Sequence, residues 1–214
     1  MADTTTLVRR LLKVAGTTYA EESGIRLEDK PMPLFQLLVL TMLASKPINA
    51  EIAARAAREL FDAGLRTPHA VIDGTRSTAI DAFGRAGYTR YDESSATRLC
   101  ELATSVRDEY AGDLRKLANR CEHDVARASE ALQEFTGIGP TGADVFLREV
   151  QSVWPWVRPY FDARAVAAAK DLHLPTSAER LGDLAPRHPE RLAVALVRVS
   201  LDDRLRDDVV SSDD

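Results

Sequence analysis

Cysteine is almost absent from this chain: Cys100 and Cys121 are the only two in 214 residues, with no C-x-x-C spacing and no histidine cluster beside them. Two thiols are too few for a four-thiolate iron–sulfur centre, and unpatterned as they are they fit a reduced compartment better than a disulfide scaffold. Long apolar runs are missing too. No segment approaches the roughly 20 residues that cross a bilayer, and the N-terminus has no signal-peptide pattern, so the expectation is a soluble cytoplasmic protein with no membrane partner. Nor does any stretch alternate apolar and polar residues long enough to suggest a strand, and neither a fixed-period repeat nor, beyond the C-terminal tail, a low-complexity block is present. Excess positive charge is also lacking. The formal net charge is −5, which argues against a protein that coats nucleic acid by bulk charge. Most of that acidity is local: residues 202–214 hold six aspartates against Arg204 and Arg206, a net of −4, which leaves −1 for the rest. An acidic tail on a near-neutral body still permits a local basic face.

What the chain does contain is helical periodicity, at a hydrophobic content of 45% that supports a buried interior. Residues 4–19 form an amphipathic pattern with Leu7, Leu11, Leu12, Val14 and Ala15. After a polar connector, residues 34–44 are almost wholly apolar, and a helix that is hydrophobic all round must be buried. Asn49 is placed to cap a helix over 50–63, and shorter helical segments follow to Arg85. A loop with Gly87 and two tyrosines precedes a helix over 93–110, and another helix runs over 123–135. Beyond residue 142 lie one more helix, the aromatic connector WPWVRPYFD, and helices over 163–172 and 189–201. The class predicted is all-α.

The most informative stretch is Leu132 to Leu147, LQEFTGIGPTGADVFL. An apolar helix end meets a short turn, and Pro140 then opens a second apolar helix, where its missing N–H costs nothing. Gly137 suits a left-handed conformation, and Gly139 lets a ligand approach the backbone. A helix start presents unpaired N–H groups and partial positive charge, so the turn suits a phosphate oxygen. That is a helix-hairpin-helix pattern, and it points to DNA.

Three stretches together, PLFQLLVLTMLAS, FTGIGPTGADVFL and PYFDARAVA, resemble the endonuclease III-like superfamily of base-excision DNA glycosylases. The resemblance covers roughly Leu34 to Leu201. It implies two helical lobes with a groove between them: a helical barrel over 33–147 ending in the hairpin, and a second lobe of 1–32 plus 148–201, with 202–214 as the acidic tail. It also implies double-stranded DNA as partner; a monomer is expected, with no metal and, on the cysteine count, without the family's iron–sulfur cluster, although carbonyls of the turn suit a monovalent cation bridging to DNA.

By that resemblance Asp162 stands where the family keeps its catalytic aspartate, a carboxylate able to stabilise positive charge on the sugar and to position water. An aspartate before Ala163 is equally well placed to cap the next helix. The family's lyase members carry a lysine at the position of Thr141, so this chain reads as a monofunctional DNA repair glycosylase, a hydrolase without lyase activity. Asp144 is a competing carboxylate, and Lys170 a second cation near Asp162. Backbone groups of Gly137, Ile138, Gly139 and Thr141 are the expected phosphate ligands, with Arg164, Arg148 and Arg158 as further backbone contacts. Arg164 replaces a histidine common in relatives. Lys46 follows the early helix where relatives place a polar residue entering the DNA. Tyr88 and Tyr91 occupy the place of the intercalating loop, and Trp154, Trp156 and Tyr160 flank the approach to Asp162, where one or more could line a base pocket. Tryptophans there would also pin the connector to the core. Two other readings remain: a non-catalytic helix-hairpin-helix DNA-binding protein, and a helical interaction protein in which GIGP is only a tight turn.

Overall fold

The computed structural model describes residues 4–211, and every regular element among them is helical, as the sequence predicts. In chain order the helices are α1 (Thr4–Ala15), α2 (Tyr19–Glu22), α3 (Pro31–Ala44), α4 (Ala50–Asp62), α5 (Pro68–Asp73), α6 (Arg76–Ala86) and α7 (Asp92–Tyr110). They continue with α8 (Arg115–Arg120), α9 (Val125–Gln133), α10 (Pro140–Val150), α11 (Ala163–Asp171), α12 (Ala178–Leu184), α13 (Pro189–Leu201) and α14 (Asp203–Val210). The chain divides into two compact units, one of Tyr19–Phe146 and the other of the residues up to Thr18 and from Leu147 onward.

In the Tyr19–Phe146 unit, α3 is the core helix. Its residues from Pro33 to Leu43 are all buried, which the continuous apolar run requires. It packs on α4 and α7; α4 in turn packs on α2 and α6, and α7 covers α5 and α6. Local chemistry sets the boundaries. Asn49 caps α4 by accepting from Glu51 N at 2.7 Å, and Thr67 and Thr75 cap α5 and α6 in the same way. Helix α6 stops at Gly87, whose φ of 74° lets the N–H groups of Gly87 and Tyr88 turn back to Gly84 O and Phe83 O. Residues 19–32, expected with the first helix, belong here instead. Tyr19, Ala20 and Ile25 are buried, α2 packs on α4, and the Arg58 guanidinium donates to Glu22 O.

The other unit is organised on α13, which packs against α1, α11, α12 and α14. Leu11, Ala165, Ala169, Leu181, Leu192 and Leu196 form its interior, and the small residues of α11 allow close approach to α13. The acidic end is not a loose tail over its described part. Asp202 Oδ1 accepts from the N–H groups of Arg204 and Leu205 to start α14, Val209 is buried, and Arg10 Nη1 donates to Ser211 O at 2.7 Å. Residues 212–214 of the expected tail lie outside the described residues.

Candidate functional site

Two groups of the expected residues emerge, one in each unit. The first surrounds the turn between α9 and α10. Asp124 caps α9, accepting from Arg127 N at 2.8 Å, and the chain leaves the helix near Gln133. At Gly137 φ is 92°, a conformation costly for any residue with a Cβ. Ile138 N then donates to Phe135 O at 3.0 Å, and its side chain is buried. Ala143 N donates to Gly139 O at 2.9 Å, so Gly139 is the cap of α10 and Pro140 its first residue. Gly139 and Thr141 are exposed, and neither N–H has an intramolecular acceptor among the described residues. A Cβ at Gly139 would meet nothing within 4 Å. Of the expected phosphate ligands, Gly139 and Thr141 therefore offer donors to solvent. Ile138 does not, because its N–H is consumed inside the turn; its side chain anchors the turn instead.

Gly142 is the residue that sequence reasoning missed. A Cβ there would collide with Ser45 Oγ and stand 3.0 Å from Ile138 Cγ2, so only glycine seats the start of α10 against the end of α3. Ser45 Oγ is itself held by donating to Thr41 O at 2.8 Å. The sequence signal was the adjacent small pair Gly142 and Ala143, both buried.

Lys46 follows directly on that same end of α3. Its Nζ lies 5.7 Å from the centre of the Tyr91 ring, and Arg90 Cζ lies 5.3 Å from it. Tyr91 is half-buried, so a cation-flanked aromatic reaches the surface here. Tyr88, the other wedge candidate, is 0% exposed. Its hydroxyl donates to Leu43 O at 3.1 Å, Ser95 Oγ donates to it at 3.4 Å, and burial raises its pKa above the usual phenol value. Tyr88 is thus a core residue: the left-handed turn at Gly87 sends it inward. The α7 side chain Arg98, also unanticipated, lies against the turn, with Cδ 3.0 Å and Nε 3.7 Å from where a Gly137 Cβ would be.

The second group centres on Asp162. It caps α11, Oδ1 accepting from Arg164 N at 2.9 Å and Ala165 N at 3.1 Å. Its Oδ2 accepts from Arg148 Nη1, and the two side chains are 3% and 5% exposed. Both carboxylate oxygens are therefore committed, and Arg148 is a buried counter-charge, not the DNA contact expected. Arg158 is committed as well: Nε donates to Gln151 O at 2.5 Å, Nη2 to Ser152 O at 3.0 Å, and Nη2 stands 3.9 Å from Glu190 Oε2. Gln151 clamps the connector, its amide bonding both the N–H and the C=O of Tyr160 at 2.9 Å. Trp154 is buried and stacks on Trp156, with ring centres 5.2 Å apart and planes 23° from parallel, so Trp154 pins the connector and is closed to a base. Trp156 and Tyr160 are half-buried. Arg164 and Lys170 have exposed side chains, and Asp144 is half-buried on α10.

The structure thus gathers Lys46, Tyr91 and the Gly137–Thr141 turn around the end of α3, while Asp162, Arg164, Trp154 and Tyr160 belong to the other unit. Among the described residues no group of three or more His, Cys, Asp and Glu is placed to hold a metal ion. No helix among them is long and apolar enough to cross a membrane. Comparison with protein-family models, with curated proteins and with solved structures gave no match.

Proposed function

We propose that this chain binds double-stranded DNA, with the turn between α9 and α10 acting as a helix-hairpin-helix that grips one backbone phosphate. The observation that carries the reading is the exposed start of α10. Gly139 and Thr141 present N–H groups with no intramolecular acceptor, above a glycine with open space around it. A helix N-terminus with free donors attracts an anion through its hydrogen bonds and its dipole together. The buried Ile138 and the close seat of Gly142 on Ser45 keep those donors fixed, so little ordering is needed on binding. In this reading the chain acts as a monomer of two helical lobes in DNA repair, and carbonyls of the turn are available to a monovalent cation.

The test is fluorescence anisotropy with a short labelled duplex as salt is raised. Phosphate-driven binding must weaken steeply with salt. Absence of binding at low salt would sink the proposal.

A monofunctional glycosylase is the second reading, favoured by the half-buried Trp156 and Tyr160 on the connector that ends at Asp162. Water would add across the N-glycosidic bond, releasing the base and leaving an abasic sugar. The Arg148 contact stands against it, because Asp162 has to exchange that guanidinium for a sugar or a water before it can act. Base release from duplexes carrying uracil, mispaired thymine, alkylated purines or oxidised bases, read after hot alkali, decides between the two. Binding without product on every duplex leaves the non-catalytic reading standing.

A further inference from the structure

We infer that Arg98, with Arg90 and Lys46, forms a cationic track beside the α9–α10 turn that takes additional phosphates of the same DNA backbone. The inference rests on the proposed function and adds residues that the turn alone does not supply.

Three observations carry it. First, Arg98 lies against Gly137, its Nε 3.7 Å from where a Cβ would stand, which puts a guanidinium next to the turn. Second, Arg90 and Lys46 sit on the Tyr91 ring, and Lys46 belongs to the α3 end on which the turn is seated. Tyr91 is the residue just before α7 and Arg98 lies in its second turn, about 10 Å further along the chain's course. The duplex rises about 3.4 Å per nucleotide along its axis and its phosphates are also displaced around it, so this spacing is on the scale of neighbouring backbone phosphates. Third, none of the three cations has a carboxylate within 4 Å among the described residues, whereas many arginines elsewhere do: Arg76 with Glu93, Arg85 with Glu59, Arg115 with Asp113 and Arg127 with Glu122.

Of the acids nearest in sequence, exposed Glu101 follows Arg98 by three residues without coming within 4 Å of a cation among the described residues. Asp92 accepts from Glu93 N at 2.6 Å, and Glu93 pairs with Arg76. Glu134, at the start of the turn, lies beside Tyr110 and Cys121, whose pKa values it helps to raise. A body of near-neutral charge thus keeps beside the turn three cations with no carboxylate within 4 Å among the described residues. The aromatic among them orders the Lys46 and Arg90 side chains ahead of contact.

The experiment measures duplex affinity between about 50 and 200 mM salt for the wild type, Arg98→Ala, the Lys46→Ala, Arg90→Ala, Arg98→Ala triple variant, Arg98→Lys, and Arg127→Ala as a control for an arginine paired with a carboxylate. Each lost phosphate contact lowers the salt slope by about 0.9, so Arg98→Ala drops it by about one unit and the triple variant by about two to three. Arg98→Lys recovers most of the slope, and Arg127→Ala leaves it as in the wild type. Circular dichroism melting confirms that each variant is folded. A wild type that binds while the triple variant keeps its full slope overturns the track and leaves the turn reading intact. A wild type that does not bind overturns both.

Discussion

Arg148 Nη1 donates to Asp162 Oδ2, and neither side chain is more than 5% exposed. Arg148 Nε has no hydrogen-bond partner, so the aspartate is its main compensation. Removing one member of a buried pair leaves an uncompensated charge and costs about 3–5 kcal/mol. Asp162→Asn therefore lowers stability strongly, by loss of the pair as well as by any weakening of the α11 cap. Adding Arg148→Met to it restores part of the loss, with a coupling of about 1–3 kcal/mol. Urea denaturation of the two single variants and the double variant checks this; strictly additive losses would show that the pair carries no coupling. The double variant is also the proper control for base release, since it lacks the carboxylate without stranding a buried guanidinium.

The Gly142 position makes a packing prediction independent of DNA. Gly142→Ala forces a methyl into Ser45 Oγ and toward Ile138, and such overpacking costs about 1–3 kcal/mol. Ser45→Ala in the same chain removes the oxygen that is struck and recovers much of the loss. Thermal melts of the three variants decide it, and a Gly142→Ala protein as stable as the wild type would contradict the close seat.

The two glycines of the turn separate folding from binding. Gly137 needs its φ of 92°, so Gly137→Ala costs about 1–2 kcal/mol of stability. Gly139 has open space and no positive φ, so Gly139→Ala leaves the melt nearly unchanged. Its methyl stands where a phosphate would approach, weakening duplex binding by about 1 kcal/mol, roughly fivefold in Kd. Equal affinity of Gly139→Ala and wild type, measured by anisotropy, would remove the turn from the interface.

What could be read from the chain was what local rules control. The all-round apolar run of α3 announced its burial, Asn49 announced a cap, and Gly137 with Pro140 announced the turn before α10. The side chains of the site were less legible, because their surroundings are set by distant partners. Arg148 and Arg158 look like surface arginines until Asp162, 14 residues on, and Glu190, 32 residues on, are folded against them. Of two tyrosines three residues apart, the left-handed Gly87 turned Tyr88 inward and left Tyr91 at the surface, a choice that composition does not encode. Val209 made a packed helix of a segment that its aspartates advertise as tail.

Buried phenols give the chain an alkaline limit. Burial raises the pKa of Tyr88, and it is also the largest cause of the rise at Tyr110. A group that holds its proton more tightly when folded contributes stability that is complete below its unfolded pKa, near 10 for tyrosine, and is lost as pH climbs through the higher folded value. Buried Cys121, whose thiol pKa burial also raises, begins the same loss near pH 9, and the phenols steepen the fall above about pH 10 when stability is measured in urea. Tyr88→Phe lowers stability at neutral pH, because the buried bond to Leu43 O is gone, yet flattens the alkaline fall. Unfolding measured across that range, with tyrosinate absorbance followed in parallel, tests both halves. A Tyr88→Phe protein whose alkaline fall is as steep as that of the wild type would show that this phenol is not the group responsible.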